Sequence, residues 1–186
     1  MKYTTLFVIK VLIIFYGCHN HGLKTKQKEI EKSIISWYNK DLILSDTLVI
    51  LEDGEKRTIP KEEFLQKKYK ILSILDNDCR SCTISQLLFW DAFIMENIDI
   101  YDFQLVLFYC GPNEYFSDVL ISELGIKYPI VLDHSSQILS YDIFDENIYH
   151  TVLLDHENRV ILIGNYFDNK QLEVLYLEEM GRNAQR

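Results

Sequence analysis

The segment from Tyr69 to Cys82 constrains this chain most. Tyr69-Lys70-Ile71-Leu72-Ser73-Ile74-Leu75 is a largely apolar run of strand length that halts at Asp76-Asn77-Asp78. Cys79-Arg80-Ser81-Cys82 follows at once, and a helical pattern through Ile84, Leu87, Leu88, Phe93 and Met95 then lasts to about Asn97. A strand that ends where a helix begins places Cys79 at the helix N-terminus. Unpaired N–H groups and the helix dipole there favour a thiolate. Cys82 falls one turn later on the same side, close enough to attack a disulfide formed on Cys79. Arg80 inside the motif supports the thiolate, whereas the negative charge of Asp78 opposes it.

The rest of the chain supplies a sheet around that junction. Phe103 to Cys110 is a second buried-type strand broken by Gly111-Pro112, and Ile130-Val131-Leu132 is a third. The pattern predicts a helix from Asn113 to Leu124 with Gly125 at its stop position. Thr47–Leu51 and Lys56–Ile59 flank Glu52-Asp53-Gly54-Glu55, whose Asp-Gly pair supplies the positive φ of a tight hairpin. Pro60 to Leu65 reads as a short helix entered through proline. Thr151–Leu154 and Arg159–Gly164 form a second hairpin, and Asp168 to Met180 closes the chain as a helix. Strands alternating with helices, then a hairpin and a helix, predict one α/β domain with a central mixed sheet and an N-terminal β-hairpin.

The 186 residues carry 19 basic and 28 acidic side chains, a net charge of −9. That excludes nucleic acid as a partner, since no basic footprint exists to displace counterions from phosphates. The N-terminus has the layout of a secretory signal. Met1-Lys2 precedes Leu6–Ile9, the single Lys10 and Val11–Tyr16, an apolar stretch short of the ~20 residues of a spanning helix. Gly17-Cys18 resembles the bacterial lipobox, which implies a lipid on Cys18. The expected organisation is a signal peptide at 1–17, then the lipid-attachment Cys18 with a polar tether and short helix through residue 44, then a domain over 45–182. His19 and His21 lie in the tether. The expected address is the bacterial cell envelope, lipid-anchored to a membrane and facing the periplasm or the exterior, where disulfides persist.

Beyond the Cys-x-x-Cys itself, several segments carry a resemblance. These are Leu51–Arg57, Lys70–Leu75, Tyr128-Pro129-Ile130-Val131-Leu132-Asp133 and Thr151–Val160. Together they resemble the thioredoxin-like fold, specifically the membrane-tethered thiol–disulfide oxidoreductases of the TlpA/ResA type, over roughly residues 45 to 180. The resemblance implies a redox-active pair with Cys79 attacking and Cys82 resolving, and no cofactor. It also implies reduction of disulfides in exported proteins or small molecules, with electrons from a membrane donor. Around the pair it marks Asp78, Arg80, Ser81, His150 and Thr151 as active-site neighbours.

The chain departs from that family at four places. Asp78 stands where tryptophan is usual, and Arg80-Ser81 lacks the intra-motif proline. Ser73 occupies the place of a buried acid, and His150 falls where a cis-proline faces the motif. His150 is accordingly open to three readings: a polar loop residue, a group that tunes a thiolate, or the third ligand of a copper site with Cys79 and Cys82. A non-catalytic binding module with a structural Cys79–Cys82 bond is the other alternative. Cys110, ending an apolar strand, reads as a buried core thiol. His134 and His156, beside turn-like acids, read as surface residues, and Asp142, Asp145 and Glu146 as a solvated loop. No proline and threonine precede Cys79, which argues against a peroxidatic site. No second Cys-x-x-Cys, phosphate loop, serine elbow or HExxH occurs.

Overall fold

The computed structural model describes residues 28–75, 79–111, 128–144, 150–165, 167 and 169–181. Residues 28–37 form helix α1, part of a unit that ends at Trp37. The body begins at Tyr38. The lipobox cysteine Cys18, the signal, Asp78, the expected helix over 113–124, and Asp145 and Glu146 lie outside the described residues.

Among the described residues the body is built on a seven-stranded sheet whose strands, in spatial order, are β2 (Glu55–Pro60), β1 (Thr47–Glu52), β5 (Ile130–Asp133), β4 (Phe103–Cys110), β3 (Tyr69–Ile74), β6 (Thr151–Leu154) and β7 (Val160–Ile163). Strands β1 (Thr47–Glu52) and β2 (Glu55–Pro60) form the first hairpin. Their register, Glu52 opposite Glu55, leaves Asp53 and Gly54 as a two-residue loop with φ of 52° and 80°. Both loop residues therefore need the left-handed region, which aspartate tolerates and glycine occupies freely. Pro60 caps the single turn α2 (Lys61–Phe64).

Strand β3 (Tyr69–Ile74) is buried at every position, and β4 (Phe103–Cys110) at all but Gln104. Such continuous apolar runs are what a sheet covered on both faces selects. β3 pairs parallel with β4, and β4 parallel with β5 (Ile130–Asp133), so the carboxyl ends of the three strands lie at one edge. β6 (Thr151–Leu154) pairs antiparallel with β3, and β7 (Val160–Ile163) with β6.

One sheet face packs beneath α3 (Arg80–Asn97) and α4 (Lys170–Gly181). Tyr69, Ile71, Phe103, Leu105, Leu107 and Leu153 meet Leu87, Trp90, Phe93, Tyr176 and Met180 there. Trp90, fully buried, sits edge-on to Phe89, Phe93 and Phe167. The other face carries Leu72, Ile74, Val106 and Phe108, all buried.

Two features of the body carry no clear signal in the sequence pattern. The main chain of 39–42 pairs with residues 158–160, at the entry to β7. Asn39 N–H donates to the Val160 carbonyl (2.7 Å), Val160 N–H to Lys40 (2.9 Å), and Leu42 N–H to Asn158 (3.0 Å). This pairing is made by peptide groups, so Tyr38-Asn39-Lys40-Asp41 needs no alternating apolar pattern to adopt it. Asp142 is exposed, as expected of a solvated loop, and opens a 3₁₀ turn (Asp142–Phe144) whose Ile143 and Phe144 are buried.

Candidate active site

Cys79 ends the connection from β3 and caps α3. Its backbone is extended (φ −132°, ψ 99°), and Cys82 N–H donates to its Sγ at 3.3 Å. The sulfur thus does what a serine or aspartate oxygen does at a helix N-cap, accepting one of the donors the first turn leaves unpaired. The Cys79 carbonyl accepts from both the N–H (3.0 Å) and the hydroxyl (3.2 Å) of the buried Thr83, which pins the first turn. No acidic residue occupies that turn, so no carboxylate already neutralises the helix N-terminus.

Cys79 and Cys82 are joined as a disulfide with Cα atoms 5.2 Å apart. The Ser81 hydroxyl lies 3.4 Å from Cys79 Sγ. Cys79 is half-buried, whereas Ser81 and Cys82 are exposed, so the bridge is open to attack from solvent. The arrangement can do one kind of chemistry directly. It can exchange a disulfide for two thiols, with a preformed hydrogen-bond donor waiting for the sulfur at position 79.

Strand β3 brings the remaining expected residues to the same end of the sheet. Ser73 pairs with Thr151 across the β3–β6 ladder, and their hydroxyls bond each other at 3.0 Å in full burial. Both share the parity of Ile71 and Leu153, which places the pair on the face that α3 covers, at the carboxyl end of β3. Two neutral hydroxyls satisfy each other there, and neither is a proton acceptor at neutral pH.

His150 immediately precedes β6. Its carbonyl accepts from Ile74 N–H (2.8 Å), and its Nε2 donates to the Phe144 carbonyl (3.2 Å). The two sulfurs are bonded to each other, and among the described residues no group of three His, Cys, Asp or Glu side chains is placed to hold a metal ion. Among the described residues there is also no cis peptide bond.

Cys110 is buried and unbridged at the end of β4, beside Asp133 of β5. Burial, reinforced by the Asp133 carboxylate, pushes its thiol up to about 12, which makes it inert. His134 and His156 are exposed as expected.

Lys70, which opens one of the segments that carry the resemblance, has a fully buried side chain. Its Nζ donates to the carbonyls of Asp155 (2.9 Å) and His156 (3.0 Å) in the β6–β7 turn. Burial lowers its pKa, and the Asp155 carboxylate opposes that. Asp155 in turn accepts from Arg159 Nε (2.8 Å) and from the N–H groups of Glu157 and Arg159 (2.9 Å each). Lys70 thereby ties the turn at the far end of β6 to the strand that delivers the cysteines. Only its position inside an apolar strand run marked it in the sequence.

No protein-family model matches the sequence, and no curated protein matches it. Solved structures do match. A candidate protein disulfide isomerase from Bacteroides thetaiotaomicron is 20% identical with a TM-score of 0.57, over 78% of this chain and 92% of that one. The thioredoxin domain of a thiol–disulfide oxidoreductase from Bacteroides vulgatus is 14% identical with a TM-score of 0.55, over 72% and 91%. A mitochondrial 2-Cys peroxiredoxin from Plasmodium falciparum is 15% identical with a TM-score of 0.51, over 80% and 98%. At these identities the likeness is one of architecture. The mixed sheet, its flanking helices and the position of the Cys79–Cys82 bridge at the start of α3 make this chain a member of the thioredoxin-like fold.

Proposed function

We propose that this protein is an exported, membrane-tethered thiol–disulfide oxidoreductase, working as a reductase of disulfides in exported proteins or small molecules. The observation that carries the reading is the Cys79–Cys82 bridge at the N-terminus of α3, with Cys82 N–H on Cys79 Sγ. In the dithiol form, the Cys79 thiolate attacks one sulfur of the substrate disulfide. A Cys79–substrate bond forms, the substrate S–S bond breaks, and one substrate thiolate leaves and takes up a proton. The Cys82 thiolate then attacks Cys79 Sγ, which expels the second substrate thiol and closes the bridge. Two electrons have passed to substrate, and a membrane dithiol donor returns them by the same exchange in reverse.

The helix N-terminus and the Cys82 N–H stabilise negative charge at position 79, which assigns attack to Cys79 and resolution to Cys82. The tether and lipid on Cys18 rest on the N-terminal sequence. Ser73 and Thr151 support the competing reading of a binding module, because two hydroxyls stand at the β3–β6 position where an acid would take a proton from the resolving thiol.

The test is trapping. Cys82→Ser is expected to accumulate a mixed disulfide through Cys79 with a model substrate, and Cys79→Ser to accumulate none. In a glutathione redox titration, a two-electron transition between about −120 and −270 mV fits catalysis. A bridge that stays closed below about −300 mV leaves the binding module instead.

A further inference from the structure

β1 and β5 pair over only two residues, Ile50 with Val131 and Leu51 with Ile130. Beyond them the strands part, and a cavity of about 250 Å³ opens in the wedge. Leu48, Leu132 and Ile138, all buried, form its floor, and the exposed Ile43 and Val49 stand at its mouth. Its walls are fixed rather than slack. Tyr141 hydroxyl donates to the Ile43 carbonyl (2.8 Å), Ser45 hydroxyl to Gln137 Oε1 (2.9 Å), and Ile138 N–H to Asp133 Oδ2 (2.8 Å). Sites that take whole small ligands run from about 300 to 1,000 Å³, so this one is sized for a single side chain.

Its place in the sheet indicates whose side chain. The cavity lies alongside the carboxyl-terminal half of β5, lined by Val131, Leu132 and Asp133, and Cys79 follows the carboxyl end of β3, two strands away in a parallel run. At about 4.8 Å per strand, the wedge between β5 and β1 is roughly 12 Å from the line of β3. An extended peptide covers that in about four residues at roughly 3.3 Å each.

We propose that the β1–β5 cavity is a specificity subsite for polypeptide substrates, taking a bulky apolar side chain about four residues from the substrate cysteine. This rests on the oxidoreductase reading and adds to it that proteins, rather than small disulfides, are the substrates. A segment held at both points has its sulfur positioned at Cys79 and its apolar residue out of water.

Four peptides test it, each with one cysteine as a mixed disulfide with glutathione and with either Phe or Ser four residues away, before or after the cysteine. The reduced protein is expected to prefer the Phe peptide by about tenfold or more in one of the two placements. The preference, as a ratio measured on one protein, is expected to fall towards one in Val49→Asp and in Ser45→Phe, two exposed positions at the cavity. Cysteine-free versions of the peptides are titrated separately into the oxidised protein, reading amide chemical shifts of Val49 and Leu132. Phe-peptide shifts that vanish with the Ser peptide support the subsite whether or not turnover occurs. Equal rates and no peptide-dependent shifts overturn it while leaving disulfide reduction intact. Failure to reduce glutathione mixed disulfides at all, with the shifts still present, overturns the oxidoreductase reading instead and leaves a peptide-binding cleft.

Discussion

Replacing Cys110 by alanine changes how stability depends on pH in a way that can be worked out in advance. Burial and the neighbouring Asp133 carboxylate raise this thiol from its ordinary 9.0 to about 12 in the folded protein. Below pH 9 the folded and unfolded chains both hold the proton, and the thiol contributes nothing to the pH profile. Between about 9 and 12 the unfolded chain releases it and the folded chain does not, so rising pH favours unfolding. Linkage then gives a loss of about 1.4 kcal/mol by pH 10 and up to about 4 kcal/mol by pH 12. Tyr109 and Tyr128, also raised by burial, add to the alkaline loss in the native protein. They remain in Cys110→Ala, so the difference between the two proteins isolates the thiol. Urea unfolding of the oxidised proteins across pH 7 to 10.5 reads it. Cys110→Ala should start about 1 kcal/mol less stable, from the lost sulfur packing, and the gap should narrow or invert above pH 9.5. Parallel curves through pH 10.5 would show that the thiol titrates alike in both states and refute the argument.

Other outcomes follow from the same structure. Ser73→Ala and Thr151→Val should each cost about 1–3 kcal/mol by stranding the other hydroxyl, while the double variant costs less than their sum; strict additivity in urea melts counts against the buried pair. Gly164 has φ of +130°, and a Cβ there would come within 2.9 Å of Leu172 on α4. Gly164→Ala should therefore lose roughly 1–3 kcal/mol, seen as a lower melting temperature. In the reduced protein at pH 7, iodoacetamide should modify Cys79 first and leave Cys110 untouched until denaturant is added, with peptide mapping as the readout.

Much of the fold was legible because it is written in local chemistry. Asp53-Gly54 marks the first hairpin since only such residues accept two successive left-handed conformations, and β3 and β4 appear as unbroken apolar runs because both their faces are covered. The Cys-x-x-Cys could be placed at a helix start for the same local reason. What the sequence hid depends on long-range geometry. Lys70 looks like a polar interruption of a strand until the β6–β7 turn, some 85 positions later, brings two carbonyls to its ammonium. Ser73 could be identified as the occupant of an interesting position, but its hydroxyl partner emerges only from the β3–β6 register. The cavity between β1 and β5 has no motif at all, because it is made by two strands parting after a two-residue ladder.

The strip of main chain at 39–42 has a consequence for self-association. Without it, the entry to β7 at residues 158–160 would present unpaired peptide groups, a template for a strand from a second copy of the chain. The strip follows directly on the N-terminal segment, so whatever pulls on that segment pulls first on the hydrogen bonds from Asn39 and Leu42. Peeling them away would free the peptide groups of residues 158–160 and expose Leu42 and Leu44, both now buried. A protein trimmed to begin at residue 45 should accordingly form dimers or larger species that the longer chain does not, so the cut belongs before Tyr38.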